Sequence, residues 1–170
     1  MSIIKNFILL FFITVFTSQV NAEEVKKMGT HKDWETYIIK NDAGKVCFAQ
    51  SKPVLQAPKK DSREARLFIT FRPNEKISNE ISVTSGYDFN TKNTVMAISG
   101  KNKYKFDLIQ AEFAWMSDPE NKFEKRMIKT MKKGSRIMVK GHNQKGSQTT
   151  DHYSLLGFTK AYNATKANCS

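Results

Sequence analysis

Residues 146–162 read GSQTTDHYSLLGFTKAY, and the period of this stretch decides what the chain is. Taken as a cluster, Ser147, Asp151 and His152 resemble the parts of a hydrolase. Taken with the two-residue period of a strand, Thr149, Asp151, Tyr153 and Leu155 fall on one side and Thr150, His152, Ser154 and Leu156 on the other. Asp151 and His152 then face opposite ways. A nucleophile relay needs its base and orienting carboxylate within hydrogen-bond reach, so neighbours in one strand do not build it. No GxSxG elbow occurs in the chain. The stretch therefore reads as scaffold.

Working upstream, the same period recurs. WETYIIK (34–40) and KVCFAQ (45–50) flank NDAG, whose Asn41, Asp42 and Gly44 are turn formers, and the pair predicts a hairpin. EEVKKMGTHKD before it reads as a charged start. SKPVLQAPKKDSRE, with two prolines and many charges, reads as a surface loop. ARLFITFRP, ISVTSGY, TVMAIS, YKFDLI, AEFAWM and SRIMVKG are β-type runs separated by turn signals. Short strands at such spacing predict a mainly β sandwich or barrel.

One segment breaks the β pattern. SDPENKFEKRMIKTMKKG offers Ser117 or Asp118 as N-cap, Pro119 at the first helical position and Gly134 as terminator, which predicts a helix over about 119–133. Phe123, Met127 and Met131, with Ile128, form an apolar stripe for the sheet. Lys122, Lys125, Arg126, Lys129, Lys132 and Lys133 cover much of the rest. The tail KAYNATKANCS predicts a short C-terminal helix that carries Cys169 back to the body.

The chain opens MSIIKNFILLFFITVFTSQVNAEE. Its lysine, its apolar run too short for a bilayer span of roughly 20 residues, and its small side chains at Val20 and Ala22 form a signal-peptide layout. Residues 1–22 are expected to be removed, leaving 23–170 as one domain. Of the formal charge of +12 at pH 7, the leader holds only Lys5. The exported part is thus strongly basic, and its expected partners are acidic: a protein face, a lipid headgroup or lipopolysaccharide, with peripheral membrane contact. Nucleic acid is not expected. The two cysteines, Cys47 and Cys169, lack CxxC spacing and are expected to pair in an exported chain. A loop of roughly 120 residues closed by such a bridge loses about 4 to 5 kcal/mol of unfolded-chain entropy.

Other chemistry is sparse. His31, His142 and His152 show no HExxH-type ligand spacing, and no phosphate-cradling glycine motif is present. No catalytic residue, metal or cofactor is expected. Trp34 and Trp115 read as core or half-buried strand residues. The alternative to a binding module is a small periplasmic hydrolase or metal-dependent enzyme using the His142–His152 region. The basic helix remains the leading functional feature, its six cations being placed to hold an anionic partner.

Several residues together resemble one family. Asp33-Trp34, Cys47 with Gln50, Ile81-Ser82-Val83, Trp115 and the Met131-to-Gly134 helix end are followed by the most specific run. That run is Gly146-Ser147-x-Thr149-x-Asp151-x-Tyr153-Ser154-Leu155-x-Gly157-Phe158-x-x-Ala161, and a near-terminal Cys169 completes the set. The pattern is similar to the invasion-associated locus B family of exported bacterial proteins. The resemblance implies an immunoglobulin-like β-sandwich sent to the periplasm or outer envelope of a Gram-negative bacterium, linked in some relatives to host-cell invasion. It brings no catalytic residues, and it implies that Gly146 and Ser147 form a turn, 149–156 a strand and Gly157 a bend or close approach, with Phe158 and Tyr162 anchoring the tail. The chain departs from many relatives in lacking a further cysteine soon after Asp33-Trp34.

Overall fold

The computed structural model describes residues 24–41, 43–59 and 62–169; the expected leader, residues 1–22, lies outside them. In chain order the elements are β1 (Glu24–His31), β2 (Trp34–Asn41), β3 (Gly44–Ser51), β4 (Leu55–Ala57), β5 (Ala65–Arg72) and β6 (Ile77–Ser85). There follow β7 (Val95–Ser99), β8 (Asn102–Phe106), β9 (Leu108–Gln110), β10 (Phe113–Trp115), α1 (Lys122–Lys133), β11 (Arg136–His142), β12 (Gln148–Ser154) and α2 (Phe158–Asn168). A seven-stranded sheet runs β1-β2-β3-β5-β6-β10-β9, and a five-stranded sheet runs β4-β12-β11-β7-β8. Neighbours pair antiparallel throughout.

The period-two readings place the core. Trp34, Thr36 and Ile38 of β2 and Ala65, Leu67, Ile69 and Phe71 of β5 point inward, against Ala97, Tyr104, Phe106, Ile137, Val139 and Tyr153 of the smaller sheet. These apolar side chains join one continuous hydrophobic cluster, which is the sandwich arrangement that antiparallel sheets with one apolar face adopt. In β12, Thr149, Asp151 and Tyr153 are buried while Thr150, His152 and Ser154 are half-buried. The opposite facing of Asp151 and His152 is therefore as the alternation predicts.

The tail is fixed as expected. The Cys47–Cys169 disulfide joins β3 to the end of α2 with Cα atoms 5.7 Å apart. Phe158 packs edge-on against Trp34 at 4.9 Å, and the Trp34 indole N–H donates to the Ser154 carbonyl at 3.0 Å. Gly157 sits at φ +88°, and a Cβ there would lie 1.8 Å from the His31 carbonyl oxygen. Only glycine allows the turn before α2 to approach the β1–β2 turn this closely.

The charged start, which carries no predicted element, forms the edge strand β1, paired along its length with β2; an exposed edge tolerates lysines. Three expectations need correction. The proline-rich loop contains β4, which pairs with β12. The run YKFDLI divides at Asp107, whose carboxylate accepts the Ser117 N–H at 3.0 Å; β8 stays in the smaller sheet and β9 crosses to the larger one. Finally, the helix begins at Lys122 rather than at 119. Asn121 adopts a left-handed conformation with φ 55°, so Pro119 belongs to the preceding turn, which closes from the Asn121 N–H to the Asp118 carbonyl at 2.8 Å. Asp118 still caps: its Oδ2 accepts the backbone N–H groups of Phe123 and of Glu124, the latter at 3.1 Å. Of the expected stripe Met127, Ile128 and Met131 are buried, while Glu124 takes the place of Phe123, which is 53 % exposed.

Candidate functional site

The packing of α1 against α2 sorts its cations. Lys125, Lys129 and Lys132 lie on one flank and line a groove of about 390 Å3 against α2, with Asn79, Ile128, Tyr162 and Lys166 completing the walls. Lys132 Nζ stands 3.9 Å above the Tyr162 ring centroid, a cation–π contact. The Tyr162 hydroxyl is fixed by donating to Asn79 Oδ1 at 2.7 Å. Burial, and then the charge of Lys166, push the Lys132 ammonium below its usual pKa. Among the described residues, no carboxylate lies within ion-pair distance of Lys125, Lys129, Lys132 or Lys166.

The other three predicted cations are placed differently. Lys122 pairs with Glu120. The Arg126 guanidinium covers the Tyr104 ring at 5.4 Å and the Phe123 ring at 6.0 Å. Lys133 is exposed at the helix end. The groove thus takes half of the predicted set and adds Lys166, which the helical spacing from Tyr162 would have supplied.

The His142–His152 region does not assemble. Pairing sets His152 opposite Met138, four residues from His142 along β11, or roughly 13 Å at the rise of a strand. Asp151 turns inward and is committed elsewhere. Arg63 grips it with two bonds, Nη2 to Oδ1 at 2.6 Å and Nη1 to Oδ2 at 3.0 Å. Gln56 donates to the same carboxylate at 3.2 Å and Ser85 at 3.3 Å. Asp151 is fully buried and the Arg63 side chain is 10 % exposed. Arg63 also donates to the Ser85 carbonyl at 2.9 Å. The network is a clamp that ties the loop after β4 and the end of β6 to the middle of β12. No cluster of three metal-type ligands occurs among the described residues.

A second concave site lies at the opposite end of α1. A cleft of about 890 Å3 opens between β6, the β9–β10 ribbon and the turn before the helix. One wall is apolar, with Leu108 53 % exposed and Trp115 stacked on Phe113 at 5.4 Å; Lys76, Ser78, Gln110 and Ser117 also line it. Its polar end carries Arg72, Glu80, Asp118, Asn121 and Glu124. Arg72 is occupied by Glu80 at 2.7 and 2.9 Å and by Glu75 at 3.0 Å. Glu124 is only 5 % exposed, and among the described residues its Oε2 and Asn121 Oδ1 have no hydrogen-bond partner. Desolvation, then the hydrogen bond to and charge of Asp118, then the charge of Glu80, raise the Glu124 carboxyl from 4.5 to about 8. Burial works against the Asp118 carboxylate too, but the N–H groups of Glu124, Lys122 and Phe123 hold it below its usual value. Sequence reasoning missed this site because Glu124 reads as one more charged residue of a basic helix.

The Glu124 shift makes a stability prediction. The folded protein keeps a proton on Glu124 that the unfolded chain releases above pH 4.5, so its contribution to stability falls by about 1.4 kcal/mol per pH unit from 4.5 until about pH 8. Glu124→Gln, which mimics the protonated form, is expected to leave stability unchanged at pH 4 and to raise it by roughly 3 kcal/mol at pH 7. Urea unfolding at the two pH values reads the difference; an equal change at both would mean that Glu124 does not hold the proton.

Two antiparallel sheets over one core, with a C-terminal helix cross-linked to the larger sheet, define a disulfide-tethered β-sandwich. The chain belongs to the invasion-associated locus B family: the family described as Invasion associated locus B (IalB) protein matches residues 34–166. The crystal structure of invasion associated protein B from Bartonella henselae is similar in fold, with a TM-score of 0.55 at 11% identity over 82% of this chain and 96% of that one. No curated protein matches the sequence.

Proposed function

We propose that this chain is an exported, non-enzymatic binding module of the bacterial envelope, which holds an acidic surface or protein partner in the groove between α1 and α2. One observation carries the reading. Four ammonium groups from two helices converge there without carboxylate partners, and one of them is already driven below its usual pKa by burial and its neighbour. Crowded like charges cost energy that an arriving phosphate or carboxylate group relieves. The leader-like residues 1–22 and the family membership support export. Among the described residues no helix is long and apolar enough to cross a membrane.

Two variants of equal charge change separate the groove from the overall charge. Lys125→Glu/Lys129→Glu/Lys132→Glu reverses the groove, and Lys122→Glu/Arg126→Glu/Lys133→Glu reverses the outer flank. On immobilised heparin and on phosphatidylglycerol vesicles at low salt, the groove variant is expected to lose at least about tenfold in affinity, one decade being about 1.4 kcal/mol. The flank variant should keep most of its binding. Equal losses would reduce the lysines to solvation of an amphipathic helix.

A further inference from the structure

The cleft at the start of α1 is built differently from the basic groove and calls for the opposite charge. In a strongly basic protein it gathers Asp118, Glu80 and Glu124, while the nearest guanidinium, Arg72, is spent on Glu80 and Glu75. Two buried oxygens at its polar end, Glu124 Oε2 and Asn121 Oδ1, have no hydrogen-bond partner among the described residues. The rest of its lining sets an apolar strip, the Trp115 ring and the exposed Leu108 beside Ile109, among Lys76, Ser78, Gln110 and Ser117. A cavity with an apolar wall and a few convergent polar groups is the ordinary form of a small-ligand site.

We propose that this cleft binds a cationic amphiphile, an ammonium group on an apolar body, with the ammonium on the Asp118 and Glu124 carboxyls and the body along Trp115, Leu108 and Ile109. The ammonium supplies donors to Glu124 Oε2 and Asn121 Oδ1, beside the Ile81 N–H that already reaches the Glu124 carboxyl. Its charge also removes the reason for the two carboxyls to share a proton. The groups facing Glu124 are Asp118 from the preceding turn, Glu80 and the Ile81 N–H from β6, with Arg72 and Lys76 across the cleft. Asp118 and Glu80 raise the Glu124 carboxyl and the Ile81 N–H lowers it. A bound ammonium opposes the carboxylates, so Glu124 ionises on binding and one proton leaves for each ligand taken up.

The purified protein titrated with hexylammonium tests this, with hexanol and hexanoate as controls of the same length. Calorimetry at pH 7 in two buffers of different ionisation enthalpy counts protons, and tryptophan fluorescence reports contact at Trp115, since Trp34 is wholly buried. The expected result is saturable binding of hexylammonium alone, release of about one proton, and affinity rising towards tenfold per pH unit between pH 6 and 8. Glu124→Gln, expected to keep the fold and to gain stability at neutral pH, should abolish both the proton release and the pH dependence. Trp115→Ala should weaken binding without changing the proton count. No saturable binding of hexylammonium, equal or tighter binding of hexanol or hexanoate, or proton release that persists in Glu124→Gln, would each overturn the proposal.

Discussion

Replacing Cys47 and Cys169 together by alanine is expected to destabilise the protein by about 4 to 5 kcal/mol and to lower its melting temperature by roughly 10 to 20 °C. The bridge closes a separation of 122 residues, so its absence frees nearly the whole chain in the unfolded state. Both cysteines are buried, Cys47 completely, and alanine fills most of their space in an apolar setting, which keeps the native-state cost small. The native fold has other ties to the same helix. Phe158, Ala161, Tyr162 and Thr165 remain buried against the body, so α2 should persist and only its last turn should lose amide protection. Thermal unfolding of the double variant beside the oxidised protein checks the magnitude, and hydrogen exchange checks the location. A loss below about 1 kcal/mol would mean that the unfolded chain is already held compact by other contacts.

The second large effect is at Asp151. Asp151→Ala leaves the Arg63 guanidinium buried without its counter-charge and is expected to cost about 3 to 5 kcal/mol, as breaking a buried pair does. Arg63→Met strands the carboxylate, though Ser85 and Gln56 still donate to it, and should cost somewhat less. Replacing both at once, Arg63→Met with Asp151→Leu, removes both charges and should cost far less than the sum of the single losses. Urea unfolding of the four proteins gives the coupling energy directly. Strict additivity would show that the clamp does not act as a unit.

The contrast between these two features shows what the sequence discloses. The disulfide follows from counting cysteines in a chain expected to be exported. The inward face of Asp151 follows from alternation, as do the β2–β3 hairpin and the buried sides of β5 and β11. What alternation does not give is the partner. Arg63 lies 88 positions before Asp151, in a stretch whose prolines and lysines read as surface, and only the sheet order that lays β4 beside β12 brings it inward. Strand β1 was hidden for a related reason, since an exposed edge needs no apolar period. The N-cap position of the helix is Asn121, itself a favoured N-cap residue, which the Asp118-Pro119 signal just before it masks. The lysines are legible as composition, while their division into a groove and a flank depends on where α2 and Asn79 lie against α1.

The salt dependence of heparin binding, compared between the unaltered, groove-reversed and flank-reversed proteins, decides whether the α1–α2 groove holds the anion. If Lys125, Lys129, Lys132 and Lys166 together hold the anion, the logarithm of affinity should fall linearly with the logarithm of salt, and reversing three of the four should flatten that slope by roughly two to three units. A slope shared by the groove-reversed and flank-reversed proteins would contradict the groove as the binding site.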